Sequence, residues 1–96
     1  MFVMNKPDSR NWCVYIVRCA DDSLYTGITT DLERRLHEHN NAKNGAKYTR
    51  PRRPVVLVYQ ETSESRSHAS KREREIKNLT QQQKLLLIAE RERVSS

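Results

Sequence analysis

The segment Val14–His39, VYIVRCADDSLYTGITTDLERRLHEH, decides how the chain is read. Its first part, Trp12 to Arg18, is rich in aromatic and β-branched residues and reads as a strand. Trp12, Val14 and Ile16 make one face; Cys13, Tyr15 and Val17 make the other. A strand apolar on both faces belongs in the middle of a sheet, covered from both sides. Ala20-Asp21-Asp22 is a turn, and Ser23 to Thr29 is the returning strand. Leu24, Thr26 and Ile28 form its more apolar face, and Ser23, Tyr25, Gly27 and Thr29 a polar one. A four-residue loop would put the two tyrosines on opposite faces. We take the loop as the three residues 20–22, which sets Val17 opposite Tyr25 and Tyr15 opposite Gly27. Both tyrosines then share a face, and the missing side chain at Gly27 leaves room beside Tyr15.

The same segment continues as a helix. Thr30 and Glu33 form a capping box that starts it at Asp31. Leu32 and Leu36 mark its buried stripe, and Arg35 and His39, four apart, border that stripe on the side facing the sheet. Asn40 and Asn41 can end it. A basic loop over 42–54 follows. Within it, KNGAKYTRPRR carries Lys43, Lys47, Arg50, Arg52 and Arg53 with no acid among them.

Val55 to Glu61 is a third strand, again apolar on both faces. Helix-start residues at 63–67 open a second helix through SHASKREREIKNL, with Ala69, Ile76 and Leu79 apolar. Glu73 lies four beyond Ala69, so it points to the apolar side, where an unpaired charge is costly. Glu75 falls on the surface. Thr80 and Gln83 make another capping box, opening a last helix with Leu85, Leu86, Ile88 and Ala89 inward. The expected fold is α+β, a three-stranded antiparallel sheet in β-β-α-β-α-α order with helices over both faces. Residues 1–10 read as a loose leader, 11–91 as the domain and 92–96 as a frayed tail.

Ninety-six residues make one domain. Eighteen Lys and Arg against twelve Asp and Glu leave +6, which suits a polyanionic partner; the bland alternative is a solvated basic surface. Cys13 and Cys19 on one strand stand ~20 Å apart, beyond the ~7 Å reach of a disulfide. With no signal segment and no long apolar run, the reading is cytoplasmic, with reduced thiols and no membrane. Zinc spacing is absent, because His37 and His39 point to different helix faces. His37 and His68 read as solvated, and Trp12 as core.

Tyr15 within VYI, Tyr25 and Gly27 within YTG, Arg35 and His39 within RRLHEH, and Glu73 and Lys77 within ASKREREIK stand in one order. This set resembles the GIY-YIG nuclease family, in particular its small stand-alone bacterial branch, across roughly residues 12–90. Either tyrosine motif alone is weak; the ordered set on the expected elements is specific. The resemblance implies a metal-dependent endonuclease, structure-selective or of low specificity, acting on DNA ahead of RNA, with DNA repair as its setting. Its catalytic residues would be Tyr15, Tyr25, Arg35, His39 and Glu73.

In that chemistry one Mg²⁺ or Mn²⁺ ion on Glu73 neutralises charge at the scissile phosphate. Arg35 offers donors to phosphate oxygens as charge builds. By resemblance Tyr15 is the base for the attacking water, with His39 or Tyr25 drawing off its proton. A phenol near its usual pKa of about 10 is a poor base at pH 7, so positive neighbours would have to lower it. Gly27 and the cations Lys47, Arg50, Arg52, Arg53 and Lys77 are the expected nucleic-acid contacts, tracking backbone and not bases; Lys77 equally suits covering its own helix. Larger members carry a lysine where Ile28 stands and an asparagine where Leu85 stands, so this site is sparser. Specificity would then come from a protein partner. The competing reading is a non-catalytic nucleic-acid-binding module that keeps the fold.

Overall fold

The structure is a computed structural model that describes residues 11–41 and 46–95, with side chains through Arg91. The leader, Lys43 and Gly45 lie outside the described residues. Three strands, β1 (Trp12–Arg18), β2 (Leu24–Thr29) and β3 (Val56–Ser63), form one antiparallel sheet in the order β2-β1-β3. Of the two strands read as apolar on both faces, β1 is central and β3 lies at an edge. In the hairpin, Tyr15 pairs with Gly27 and Val17 with Tyr25, the register of a three-residue loop. Cys19 N–H donates to Ser23 O at 2.8 Å and Asp22 N–H to Cys19 O at 2.9 Å. Asp22 closes the turn at φ 69°, a left-handed conformation that Asp tolerates better than most residues.

Helix α1 (Leu32–Asn41) covers one face, and α2 (Arg66–Lys77) and α3 (Gln81–Ser95) cover the other. Under α1, Tyr15, Val17, Cys19 and Val55 pack with Leu32 and Leu36. Under α2 and α3, Val14, Ile16 and Tyr59 pack with Ala69, Ile76 and Ile88. β3 is one edge of the sheet and serves both faces through a bulge: Ile16 pairs with Tyr59 and Val17 with Leu57, leaving Val58 extra. Consecutive Val58 and Tyr59 therefore both face α2 and α3, while Leu57 and Val55 turn toward α1.

Three local expectations are corrected. The first helix is capped by Asp31, whose Oδ1 accepts from Arg34 N–H at 3.1 Å, and not by Thr30. Thr29 Oγ1 instead accepts from Asp31 N–H at 3.0 Å, closing the turn out of β2. Among the described side chains of α3 only Ile88 is buried, with Leu87 beside it; Leu85 and Leu86 are 49% and 64% exposed, and Ala89 is exposed as well. Four successive apolar residues, 85–88, encircle a helix, so their pattern could not choose its inner side. The backbone of α3 also stays helical to Ser95, since no Gly or Pro stops it at 91. The other capping expectation matches: Thr80 Oγ1 accepts from Gln83 N–H at 3.1 Å and Gln83 Oε1 from Thr80 N–H at 2.9 Å.

Candidate active site

Tyr15 stands mid-strand on the central β1 and is 1% exposed. Its ring lies across Gly27, where a Cβ would meet Tyr15 Oη at 2.6 Å and Cζ at 2.8 Å. Glycine on β2 is thus the space that the phenol occupies.

Helix α1 delivers two partners to that hydroxyl. His39, fully buried, sets Nε2 2.8 Å from Tyr15 Oη. Arg35, one turn earlier, also hydrogen-bonds the phenol and pairs through Nη1 with Glu38 Oε1 at 3.0 Å. Tyr25 completes the cluster on β2, its ring edge-on to His39 with centroids 5.3 Å apart. Tyr15, Tyr25, Gly27, Arg35 and His39 therefore converge.

Burial sets the proton affinities. It pushes the Tyr15 phenol up to about 12, outweighing the Arg35 hydrogen bond that favours the anion, and the nearby Tyr25 and Glu73 charges act in the same upward direction. Arg35 does lower this pKa, through its hydrogen bond and its charge, but the loss of water costs the tyrosinate more than one guanidinium returns. Burial likewise holds His39 down at about 4, with the charges of Arg35 and Arg53 adding to it. At neutral pH the pair is a neutral phenol against a neutral imidazole.

The loop 46–53 is fastened to this cluster. Thr49, also fully buried, brings Oγ1 to 2.9 Å from His39 Nδ1 and donates to Ala46 O at 3.1 Å. Tyr48 stacks on Tyr25 at 5.9 Å between centroids, and the Arg52 guanidinium sits 4.0 Å from the Tyr48 ring centre. Arg52 also pairs with Asp21 at 3.0 Å, which ties the loop to the hairpin turn. Arg53 donates to the α1 carbonyls of His39 and Glu38. Asn40 receives Val55 N–H at 2.7 Å and donates to Val55 O at 3.2 Å, leading the chain into β3. Of the expected phosphate contacts, Arg52 and Arg53 thus make internal bonds, while Lys47 and Arg50 are exposed beside the cluster.

Glu73 reaches the same region from α2. Its side chain is 23% exposed and pairs with Lys77 Nζ at 3.2 Å, and its charge is felt at Tyr15. Among the described residues no three His, Cys, Asp or Glu side chains gather as a metal cage. One carboxylate suits a hard ion that keeps water and takes substrate phosphate for its other positions, as Mg²⁺ and Mn²⁺ do. It does not suit a closed protein site such as structural zinc.

Thr49, Tyr48 and Glu38 were not singled out from sequence. No period or motif marks them, and Thr49 becomes visible only once the loop folds back on α1.

A sheet with tyrosines on its first two strands, an Arg–His helix and a glutamate on the next helix defines a domain of the nuclease type. The chain belongs to the GIY-YIG catalytic domain family, whose model matches residues 11–85. It is 58% identical over 81 residues to a UPF0213 protein of Desulfotalea psychrophila, covering 84% of this chain and 74% of that one. It is 62% identical over 78 residues to a UPF0213 protein of Staphylococcus haemolyticus, covering 81% and 94%. Solution NMR structures of a UPF0213 protein from Bacillus halodurans and of a protein from E. faecalis share the fold. The first has TM-score 0.54 at 43% identity, with 82% of this chain and 83% of that one covered. The second has TM-score 0.56 at 46% identity, covering 80% and 82%. Among the described residues no helix is long and apolar enough to cross a membrane.

Proposed function

We propose that this chain is a divalent-metal-dependent endonuclease that cleaves DNA phosphodiesters at branches, ends or single-stranded segments without reading sequence, and that it works in the cytoplasm. The observation that carries the reading is the buried contact of 2.8 Å between Tyr15 Oη and His39 Nε2, with Arg35 on the same hydroxyl. A core aromatic needs no such pairing, whereas a proton relay needs both the buried imidazole and the partly exposed guanidinium on the phenol.

Tyr15 hands its proton to His39 Nε2 as it takes one from the attacking water, so no free tyrosinate has to form beforehand. The phosphodiester brings negative charge toward His39, which raises the imidazole's affinity for that proton. Arg35 exchanges Glu38 for a phosphate oxygen and turns its fork of donors onto charge that grows during displacement. Tyr25 holds the imidazole plane from its side. Glu73, released from Lys77, would hold the Mg²⁺ or Mn²⁺ ion, which when bound supplies charge neutralisation at the phosphate and the leaving oxygen. Lys77, Lys47 and Arg50 steady the neighbouring backbone, and Gly27 lets the strand approach the phenol. A protein partner supplies substrate choice.

The test is a panel of branched, flapped, single-stranded and duplex DNA and RNA, incubated at low salt with Mg²⁺ or Mn²⁺ and with chelator. Metal-dependent cuts in branched or single-stranded DNA are expected. Salt-sensitive binding with no cleavage by any substrate would favour a non-catalytic binding module. That alternative draws on the lone carboxylate and its pairing with Lys77.

A further inference from the structure

His39 has two ring nitrogens, and only one neutral tautomer can receive the Tyr15 proton at Nε2. The choice is made on the far side of the ring. Thr49 Oγ1 is 2.9 Å from His39 Nδ1 and 3.1 Å from Ala46 O, which can only accept and also takes the Thr49 and Arg50 N–H groups; this geometry assigns the hydroxyl's single hydrogen to Ala46 O. A hydroxyl has one donor and two acceptor positions, so toward His39 the oxygen is left as an acceptor. His39 must then donate from Nδ1, which leaves the Nε2 lone pair facing Tyr15 at 2.8 Å. Both His39 and Thr49 are fully buried, so water cannot substitute for either bond.

We propose that Thr49 is a positioning residue: its hydroxyl, oriented by Ala46 O, locks His39 in the Nδ1–H tautomer and so makes Nε2 the acceptor for the Tyr15 proton. The chain of donors runs Tyr15 to His39 to Thr49 to Ala46, from the centre of the sheet to the backbone of the basic loop. A loop otherwise expected only to track phosphates thereby sets the direction of proton flow. The inference rests on the nuclease reading for its catalytic meaning, but the tautomer itself can be read without substrate.

The experiment is long-range proton–nitrogen NMR on the full chain labelled with ¹⁵N-histidine, in wild type, Thr49→Val and Thr49→Ser, followed by cleavage kinetics of the same proteins. The groups facing His39 are Arg35 and Glu38 on α1, Arg53 and Thr49 in the loop, Tyr15 on β1 and Tyr25 on β2, so spectra are recorded across pH 5.5–8.5 to separate tautomer from charge. In wild type and Thr49→Ser, His39 is expected to show only the Nδ1–H pattern, unlike the exposed His37 and His68. Thr49→Val, which keeps the branched shape but has no acceptor, is expected to show an Nε2–H population. Its kcat should fall by roughly 10–10²-fold, a part of what a positioned base contributes, with KM little changed and with Thr49→Ser restoring the rate. An Nε2–H pattern in wild type overturns the proposal, and so does an unaltered tautomer in folded Thr49→Val. If Thr49→Val does not fold, the wild-type and Thr49→Ser spectra decide. If no protein cleaves any substrate, the nuclease reading and the catalytic role of Thr49 both fail, while the spectra still judge the tautomer.

Discussion

Replacing Gly27 with alanine adds a methyl carbon 2.6 Å from Tyr15 Oη and 3.1 Å from Cε2. Carbon–oxygen contacts do not ordinarily close below ~3.3 Å, so the phenol must retreat by about 0.7 Å. It has nowhere easy to go, because Tyr15 is 1% exposed and its hydroxyl is fixed by His39 at 2.8 Å. A retreat of that size along the bond stretches it to roughly 3.5 Å, the outer limit of a hydrogen bond. Overpacking of this kind costs about 1–3 kcal/mol. At ~4–8 °C per kcal/mol for a domain this size, Tm should drop by roughly 5–20 °C. Cleavage should fall too, even well below the new Tm, since the tyrosine no longer meets its acceptor squarely. The assay pairs thermal melting with initial rates on whichever substrate the panel identifies. A Gly27→Ala protein that melts and cuts like wild type would refute the claim that glycine makes room for the phenol.

Further outcomes follow from the same geometry. Glu73→Ala should keep the fold, since Glu73 is partly exposed and ion-paired with the exposed Lys77, and should abolish metal-dependent cleavage; unfolding would make Glu73 structural. Arg35→Ala should cut kcat by about 10²–10³-fold, as for the loss of a transition-state donor, read by single-turnover kinetics. Thr26 Oγ1 is buried without a hydrogen-bond partner among the described residues, so Thr26→Val should raise stability, by about 1 kcal/mol in a denaturant melt. For pH, His39 is about 4 when folded against an ordinary 6.5, so the unfolded chain binds its proton first. Its contribution is present above pH 6.5 and is lost as pH falls toward 4, by up to about 3 kcal/mol. Tyr15, raised to about 12, acts at the other end: stability falls as pH rises from about 10 to 12. Tm against pH, compared with a Tyr15→Phe control for the alkaline limb, checks both signs.

The sheet was legible because its signals are local. The loop length fixed the register that joins Tyr15 to Gly27, whereas the doubly apolar pattern marks both the central β1 and the edge strand β3 and could not by itself rank them. The ordered set also pointed to Tyr15, Tyr25, Gly27, Arg35 and His39, which the fold brings into one cluster. What escaped depends on tertiary contact. Burial of Tyr15, which raises its pKa, is a property of the closed core and not of the basic residues beside it in sequence. Thr49 is one hydroxyl in a cationic loop until Ala46 and His39 enclose it. Arg53 looked like a phosphate contact by composition, yet it donates to the end of α1. The inner side of α3 was ambiguous for a geometric reason, four apolar residues in a row.

The central claim, that the buried tyrosine–histidine pair performs phosphodiester hydrolysis, is tested most directly by comparing wild type with Tyr15→Phe, purified identically, on the same substrate with Mg²⁺ or Mn²⁺. Phenylalanine keeps the ring in its place beside Gly27 and removes only the oxygen, leaving His39 Nε2 without its partner at a cost of about 1–3 kcal/mol. The variant should therefore still fold, bind nucleic acid and melt cooperatively, while its single-turnover cleavage rate drops by at least ~10²-fold. A folded Tyr15→Phe protein that cleaves at the wild-type rate would contradict the account.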